Sequence, residues 1–184
     1  GEGGVVTTNS KLLDHKLKRT RSLGIDKKTN KHWEYDVIYN GFNFRLTDFQ
    51  CALGISQLTK LNLFLRSRKA IASRYSKELK KIPKIFVPNY ESKYISSYHL
   101  YIINFKFKSL KIKDKLMKFM LKNKIILQYH YIPIYKFKVF KDKYLNKCSE
   151  HYYRSSISLP IYHGLKNKEQ NKVIRLLIKF FKRI

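Results

Sequence analysis

One stretch decides the fold that this sequence predicts: residues 39–54, which read YNGFNFRLTDFQCALG. Asn40 and Gly41 are a strong turn signal, because glycine adopts positive φ without steric cost and asparagine tolerates it. Thr47 is placed to cap a helix that opens at the next residue, and Gln50 completes a capping box three positions later. The sequence therefore predicts a polar loop that is held by a turn at one end and by a helix cap at the other.

Two side chains on this loop are suited to binding an anion. Asn43 offers an amide, and Arg45 offers a rigid fork of N–H donors. The alternative is a well-capped helix entry whose arginine is simply solvated, which is the usual state of a surface arginine. The residues of the loop alone leave both interpretations open.

The length and composition set the limits of the prediction. A chain of 184 residues suits one domain, or one small domain plus a piece of another. Its apolar content of 43%, with 14 Tyr and 12 Phe, allows a real core. The sequence has no apolar run of membrane-spanning length, and it starts with Gly rather than with a leader, so we expect it to begin inside a motif. Cys51 and Cys148 lie far apart without a partner at metal-binding spacing, which predicts a reduced, cytoplasmic protein without a metal site.

The formal net charge of +28 is the most unusual bulk property. Such a charge suggests nucleic acid or an anionic membrane as a partner. Only nine of the 40 basic residues are Arg, however, and the lysines are spread along the whole chain. Lys, Ile, Asn, Tyr and Phe are abundant while Ala occurs three times, as in an A/T-rich coding sequence. We therefore expect neither nucleic acid nor a membrane as the main partner, and keep a basic binding module as an alternative.

The first part of the chain is predicted to be helical around one irregular loop. Ser10 can cap a helix that runs from Lys11 to about Arg21, and Gly24 suits its end. Residues 25–38 are charged and read as a loop.

The helix that follows Thr47 has apolar residues at near-heptad spacing, which predicts packing on one side. Gly54 inside that helix predicts a close neighbour, since glycine there costs about 1 kcal/mol relative to alanine. A second helical segment stops before Pro83, so that the two read as one long connecting helix before a linker over residues 83–97.

The last part of the chain alternates between strand and helix patterns. This order predicts a small α/β domain carried by a helical stalk. The predicted strands are residues 98–106, 125–131 and 157–161, and the predicted helices are residues 112–123, 150–156 and 166–183.

A second candidate site lies where one of these predicted strands ends. Gln128, Tyr129, His130 and Tyr131 place amide, phenol and imidazole groups together, and Pro133 then stiffens the chain. Such groups can bind a polyhydroxylated or phosphorylated ligand, although an aromatic strand end that packs on the core is the alternative. The sequence shows no catalytic set and no metal-binding spacing.

Three segments taken together resemble one family. They are Gly1–Gly4, the turn and helix over residues 42–54, and His130–Pro133 followed by Ser158–Pro160. Their order and separation resemble the C-terminal half of the pyridoxal-phosphate (PLP)-dependent nucleotide-sugar aminotransferases of the DegT/DnrJ/StrS type, over essentially the whole chain. The pattern N-F-R-L-x-D/E-x-Q-x-A-L-G is specific to that family. The segment at Gln128 is less specific, and it resembles the branch that acts on UDP-linked 4-keto-6-deoxy-N-acetylhexosamines.

The resemblance implies a fold-type I PLP-dependent transferase, with the C-terminal part of the large domain followed by a small α/β domain. Residues 1–60 would end the large domain, residues 61–89 would form the connecting helix and linker, and residues 90–184 would form the small domain. It further implies a homodimer with an active site shared between subunits.

The resemblance also implies roles for the two candidate sites. Asn43 would reach the PLP phosphate of the neighbouring subunit, and Arg45 would support that contact or meet substrate phosphate. The segment Gln128, Tyr129, His130 and Tyr131 would contact the UDP-sugar, which receives an amino group from a donor such as glutamate.

Two departures limit what the resemblance implies for this chain. In the family, the lysine that holds PLP covalently lies shortly before the Gly-Glu-Gly-Gly turn, so we expect it upstream of Gly1. The chain therefore contains no catalytic residue of its own and is not expected to transaminate alone. Leu23 stands where the family commonly has a histidine, which weakens any role for that loop.

Overall fold

A computed structural model describes residues 3–26, 30–31, 33–89, 96–140 and 145–183. The chain divides into two compact units, Gly1–Lys60 and Leu61–Ile184. Gly1 and Glu2 of the glycine-rich turn, and residues 90–95 of the predicted linker, lie outside the described residues. The assignment of residues 1–60 to a large domain, and of the rest to a connector and a small domain, stays a prediction.

The first unit contains two helices and a short two-stranded ladder. They are α1 (Lys11–Arg21), β1 (Ile25–Asp26), β2 (Asp36–Val37) and α2 (Asp48–Leu58). The predicted caps are confirmed, since the Ser10 hydroxyl accepts the Leu13 N–H and the Thr47 and Gln50 side chains form a complete capping box. Helix α1 ends where Gly24, at φ 70°, donates its N–H to the Arg19 carbonyl.

The prediction that residues 25–38 are irregular is wrong at both ends of the segment. Strands β1 and β2 pair antiparallel, with Ile25 opposite Val37 and Asp26 opposite Asp36. The left-handed backbone of Gly24 turns the chain back, and its carbonyl accepts the Ile38 N–H at 3.1 Å. Two residues per strand are too few to produce a readable alternation in sequence.

The predicted packing of α2 is not found in the part of the chain that the structure describes. No residue of α2 is buried, and Phe49 is 81% exposed. No atom lies within 4 Å of a Cβ built on Gly54, so its predicted close neighbour is absent among the described residues. A unit of about 60 residues with two helices and two short strands has too few elements to bury the apolar residues of α2.

The second unit holds the core. Its elements are α3 (Leu61–Leu79), β3 (Ile85–Phe86), β4 (Tyr101–Phe105), α4 (Leu110–Lys122), a 3-10 turn (Ile134–Lys136), α5 (Lys147–Ser155), β5 (Ser156–Leu159) and α6 (Asn167–Phe181). Ser109 caps α4 and Asn146 caps α5, each by accepting a main-chain N–H three residues on. The predicted helices over residues 112–123, 150–156 and 166–183 are thus confirmed, with ends shifted by a few residues.

An antiparallel sheet lies at the centre of this unit, in the order β3-β4-β5. Tyr101, Ile103 and Phe105 of β4 are buried on one face, and all four residues of β5 are buried. Helix α6 packs on α3 and α4 through a face of six buried apolar residues and the buried Gln170. The apolar residues that recur at helical spacing in these segments are buried, namely Ile71, Tyr75 and Leu79 of α3, Ile82 just after it, and Val173, Leu176, Leu177 and Phe180 of α6.

Three predictions for this region are wrong. Residues 125–131 form no strand; a single bridge joins Gln128 to Ser158 of β5, because Lys124 at φ 61° redirects the chain and Pro133 stops further pairing. Residues 83–97 are not only linker, since β3 lies within them. The long connecting helix is two helices, which are separated at Thr59 and Lys60.

Candidate functional site

The loop over residues 39–46, called the Asn43 loop below, is fixed to the end of α1 by main-chain hydrogen bonds. The N–H groups of Phe42 and Phe44 donate to the carbonyls of Thr20 and Arg21 at 2.7 and 2.9 Å. These carbonyls belong to the last turn of α1, which has no partners for them within the helix. The Phe42 carbonyl in turn accepts the Leu23 N–H at 3.0 Å. The loop thus caps α1, and α1 fixes the loop.

Two glycines allow this close contact. A Cβ on Gly41 would lie 2.0 Å from the Gly24 nitrogen, and a Cβ on Gly24 would lie 1.9 Å from the Tyr39 carbonyl oxygen. Neither distance is compatible with a side chain, so the approach of the two backbones requires glycine at both positions. The prediction of positive φ at Asn40 and Gly41 is wrong, since neither residue has it. Gly41 is instead required by the close approach of the two segments.

The Asn43 and Arg45 side chains are exposed on this fixed loop. Asn43 and Ser22 form an antiparallel β-bridge. The main-chain hydrogen bonds of this bridge are made by the residues that flank Asn43, and not by Asn43 itself. The hydrogen bonds and ion pairs of the described residues include none to either side chain. An amide and a guanidinium that are free, and carried by a fixed backbone, are chemically suited to a phosphate group.

The segment Gln128–Tyr131, called the Gln128 segment below, lies beside β5 in the second unit. The main chains of Gln128 and Ser158 exchange two hydrogen bonds, at 2.6 and 3.3 Å. The His130 Nδ1 atom lies 2.7 Å from the Ser158 Oγ atom, which is buried. The Gln128 and Tyr131 side chains are exposed. One strand residue therefore positions both Gln128 and His130.

Tyr129 contacts a buried lysine. Lys113 of α4 is 1% exposed, and its Nζ atom lies 4.4 Å from the centre of the Tyr129 ring and 4.5 Å from that of Tyr153. The ammonium group also donates to the Tyr153 carbonyl. The two rings meet edge to face, with centres 5.5 Å apart. Burial lowers the pKa of Lys113 to about 8.

A charged cluster centred on Glu150 of α5 lies next to the same region. Glu150 accepts hydrogen bonds from Lys136, Arg154 and the Tyr135 hydroxyl, at 2.7 to 3.1 Å. These donors, Lys136 first, lower the pKa of Glu150 to about 2. The Tyr135 pKa is raised, chiefly by burial and then by Glu150. The cluster fixes the 3-10 turn that follows the Gln128 segment onto α5.

The structure groups the predicted site residues into two sets, one in each unit. Asn43 and Arg45 share the Asn43 loop, and the other four residues are consecutive. Lys113 and Glu150 were not predicted from the sequence, and Ser158 was identified only as part of the family pattern and without a role in the site. Lys113 could have been noticed as a lysine on the apolar face of α4, three and seven residues before the buried Leu116 and Met120. The contact of Ser158 with His130 has no local signal, because the two residues are remote in sequence.

Three further observations concern metal ligands, the cysteines and membrane-spanning helices. Among the described residues, no group of three or more His, Cys, Asp or Glu side chains could hold a metal ion. Cys51 and Cys148 are free and exposed. No helix in the described ranges is long and apolar enough to cross a membrane.

Comparison with known proteins gives consistent matches over the whole chain. The profile of the DegT/DnrJ/EryC1/StrS aminotransferase family matches residues 1–178. A UDP-4-amino-4,6-dideoxy-N-acetyl-beta-L-altrosamine transaminase from Campylobacter jejuni is 35% identical over 190 residues, which cover 100% of this chain and 49% of the relative. The transaminase of the same name from Helicobacter pylori is 34% identical over 184 residues, which cover 98% of this chain and 48% of the relative.

A solved structure also matches the fold. The Helicobacter pylori aminotransferase PseC, involved in the biosynthesis of pseudoaminic acid, has a TM-score of 0.86 at 32% identity. The match covers 96% of this chain and 48% of PseC. The chain thus spans about half the length of the relatives it matches.

Proposed function

Because this chain belongs to the DegT/DnrJ/EryC1/StrS aminotransferase family, we propose that it is the C-terminal half of an enzyme that aminates a UDP-linked 4-keto-6-deoxy-N-acetylhexosamine. The predicted fold, that of fold-type I PLP-dependent transferases, is confirmed by the match to PseC. The observation that carries the proposal is the 35% identity, over the whole chain, to the altrosamine transaminase. The name of that relative specifies an amino group at C4 of a UDP-linked sugar, and its removal by transamination leaves a ketone at C4.

The cofactor is PLP, which the family uses and which supplies the electron sink for amino transfer when it is bound. The Asn43 loop fits the phosphate end of this cofactor. Its fixed main chain presents an exposed amide and an exposed guanidinium, and the described residues supply no partner for either. Asn43 would donate its amide N–H to a phosphate oxygen, and Arg45 would neutralise charge on that phosphate or on the substrate's.

The Gln128 segment is proposed to bind the UDP-sugar. Gln128 and Tyr131 present an amide and a phenol to solvent, and Ser158 orients the His130 ring. If the Ser158 hydroxyl donates to Nδ1, then Nε2 carries the proton and can donate to a sugar or phosphate oxygen. These neutral donors and acceptors match a polyhydroxylated ligand.

The assembly and the location are proposed from the family and from the cysteines. We expect a homodimer in which the Asn43 loop serves the active site of the partner subunit. The lysine that holds PLP is expected upstream of Gly1. The two free cysteines suit the cytoplasm, because thiols stay reduced there. Glutamate is the expected amino donor.

The test is an assay of the full-length protein, with the residues upstream of Gly1, against a panel of keto-sugar nucleotides. UDP-linked 4-keto-6-deoxy-N-acetylhexosamines are compared with dTDP- and GDP-linked 4-keto sugars and with a 3-keto sugar, each with 15N-glutamate. We expect 15N at C4 of the UDP-linked sugars. Transfer to a dTDP or GDP sugar alone would move the protein to another branch of the family, and transfer to none would refute the activity.

A further inference from the structure

Lys113 is an unusual residue to find in the core of the second unit. It is 1% exposed and lies on the same face of α4 as Leu116 and Met120. Lysine is almost never fully buried unless it is paired with an opposite charge. The ion pairs of the described residues include none to Lys113, whose Nζ atom instead contacts the rings of Tyr129 and Tyr153 and the Tyr153 carbonyl.

This arrangement costs stability. The lowered pKa of Lys113 means that the folded protein disfavours the charged form relative to water. An apolar side chain of similar length would fill the same space without that desolvation cost. Packing alone therefore does not explain a lysine at this position, and the groups that its ammonium contacts must be considered.

The Gln128 segment is held by two different sets of contacts. Gln128 and His130 are both held by Ser158 of β5, the first through its main chain and the second through its ring. Tyr129, between them, is held by Lys113 of α4 and by Tyr153 of α5. Removal of the ammonium would leave the Tyr129 ring in contact with Tyr153 but without its cation, while the two contacts to β5 stay intact.

We propose that Lys113 is a positioning residue that fixes the Tyr129 ring, and with it the Gln128 segment, in the orientation that binds the nucleotide-sugar. The inference rests on the proposed function, in which this segment contacts the substrate. It adds a residue that is remote in sequence and does not touch the substrate. A buried cation between two aromatic faces is a strong orienting contact, because the rings and the ammonium are desolvated together.

Lys113→Met in the full-length protein tests this role. We expect the KM for the UDP-linked 4-keto sugar to rise about tenfold, which corresponds to a loss of about 1.4 kcal/mol. The kcat and the PLP content are expected to stay within about twofold, because the lost contact only orients the binding segment. The melting temperature should change little, because removal of a desolvated charge is offset by the loss of the donor to the Tyr153 carbonyl. A purely structural role would lower stability, kcat and PLP content together.

Two further variants complete the experiment. Lys115→Met makes the same change at an exposed position of α4 and should alter neither KM nor stability. Lys113→Arg keeps a cation that can stack on the two rings and should have a lower KM than Lys113→Met. If Lys113→Met does not fold, Lys113→Gln replaces it, because it lacks the charge but keeps a donor for the Tyr153 carbonyl.

The outcomes separate this inference from the proposed function. An active wild-type enzyme whose KM is unchanged in the Met or Gln variant would overturn the role of Lys113 alone. Failure of both neutral variants to fold would also overturn it, since the role would then be structural. A wild-type protein that aminates no nucleotide-sugar would refute the proposed function and this inference with it.

Discussion

Asn43 presents its amide from a loop whose main chain is fixed on both sides by α1. We expect Asn43→Ala in the intact protein to weaken PLP binding about tenfold, since a hydrogen bond to a charged group contributes roughly 1.5–3 kcal/mol. Equilibrium dialysis followed by the absorbance of the retained cofactor measures this. Asn40→Ala, on the same loop, is the matched control and should retain PLP. Equal retention by both variants would contradict the role given to Asn43.

Glu150 is expected to make the stability of the protein depend on pH. Its folded pKa of about 2 lies below the ordinary value of 4.5, because Lys136, Arg154 and Tyr135 donate to the carboxylate. A carboxyl group with a lowered pKa stabilises the protein above its unfolded pKa and loses that contribution as pH falls towards the folded value. We therefore expect the free energy of unfolding to drop between about pH 4.5 and pH 2, and Glu150→Gln to flatten this drop.

Urea unfolding at several pH values between 3 and 7 tests this prediction. Glu150→Gln should be less stable than wild type at neutral pH. On acidification it should lose less stability than wild type does. Glu34→Gln is the control, because that carboxylate has one surface ion pair, with Lys31, and exposed pairs contribute little. The prediction for Glu150 is wrong if the two glutamine variants have the same pH profile.

Helix α4 is followed by a lysine in a left-handed conformation. The Lys124 and Ile125 N–H groups donate to the Leu121 and Met120 carbonyls at 2.8 and 3.0 Å, with Lys124 in the left-handed region at φ 61°. Glycine adopts this conformation without the cost that a side chain adds. We expect Lys124→Gly to stabilise the protein by about 1 kcal/mol.

Chemical denaturation measures the effect of Lys124→Gly. The control is Lys118→Gly, at an exposed position inside α4, which should instead destabilise by about 1 kcal/mol. A loss of stability in both variants would show that the Lys124 side chain makes a stabilising contribution larger than its conformational cost.

Elements with a local signal could be predicted from the sequence. The capping box at Thr47 and Gln50, the cap at Ser10 and the apolar faces of α3 and α6 all depend on residues within one or two turns. The segment at residues 125–131 was misassigned because its alternation of buried Ile125 and Leu127 resembles a strand. Its actual course depends on Lys124 and on a single contact with Ser158, which is 30 residues away from Gln128.

In the candidate site, too, only residues that stand in a local sequence pattern could be predicted. Asn43, Arg45 and the Gln128 segment stand in recognisable patterns, so the sequence could suggest them. The contacts of Lys113 with Tyr129 and Tyr153 join α4, the Gln128 segment and α5. Such a contact follows from tertiary packing, and no local pattern specifies it.

At the scale of the whole molecule, the first unit exposes many large apolar side chains. Phe49, Leu53, Ile55 and Leu58 of α2 are all exposed, as are Phe42 and Phe44. Phe49 and Leu53 lie on one side of α2, and Ile55 and Leu58 lie on the opposite side, because an α-helix has about 3.6 residues per turn. A helix that is apolar around its circumference is normally covered by other parts of a protein. Because the relatives are about twice as long, we expect further residues of the intact protein, or its partner subunit, to cover α2.

Dye binding tests this expectation. The 184-residue chain expressed alone should bind the hydrophobic dye ANS, and the intact protein should bind much less. Phe49→Ser should lower the dye signal of the isolated chain, because Phe49 is the most exposed of the α2 apolar residues. Equal dye binding by the isolated chain and the intact protein would contradict the coverage of α2.

The central claim is that this chain completes a PLP site whose covalent lysine is upstream of Gly1. Borohydride reduction of the intact holoenzyme fixes PLP to the lysine that carries it, and mass spectrometry of the digest locates that lysine. We predict one labelled peptide, shortly before the Gly-Glu-Gly-Gly turn. Label on any lysine between Gly1 and Ile184, or no labelled peptide in a protein purified with PLP, would contradict the claim.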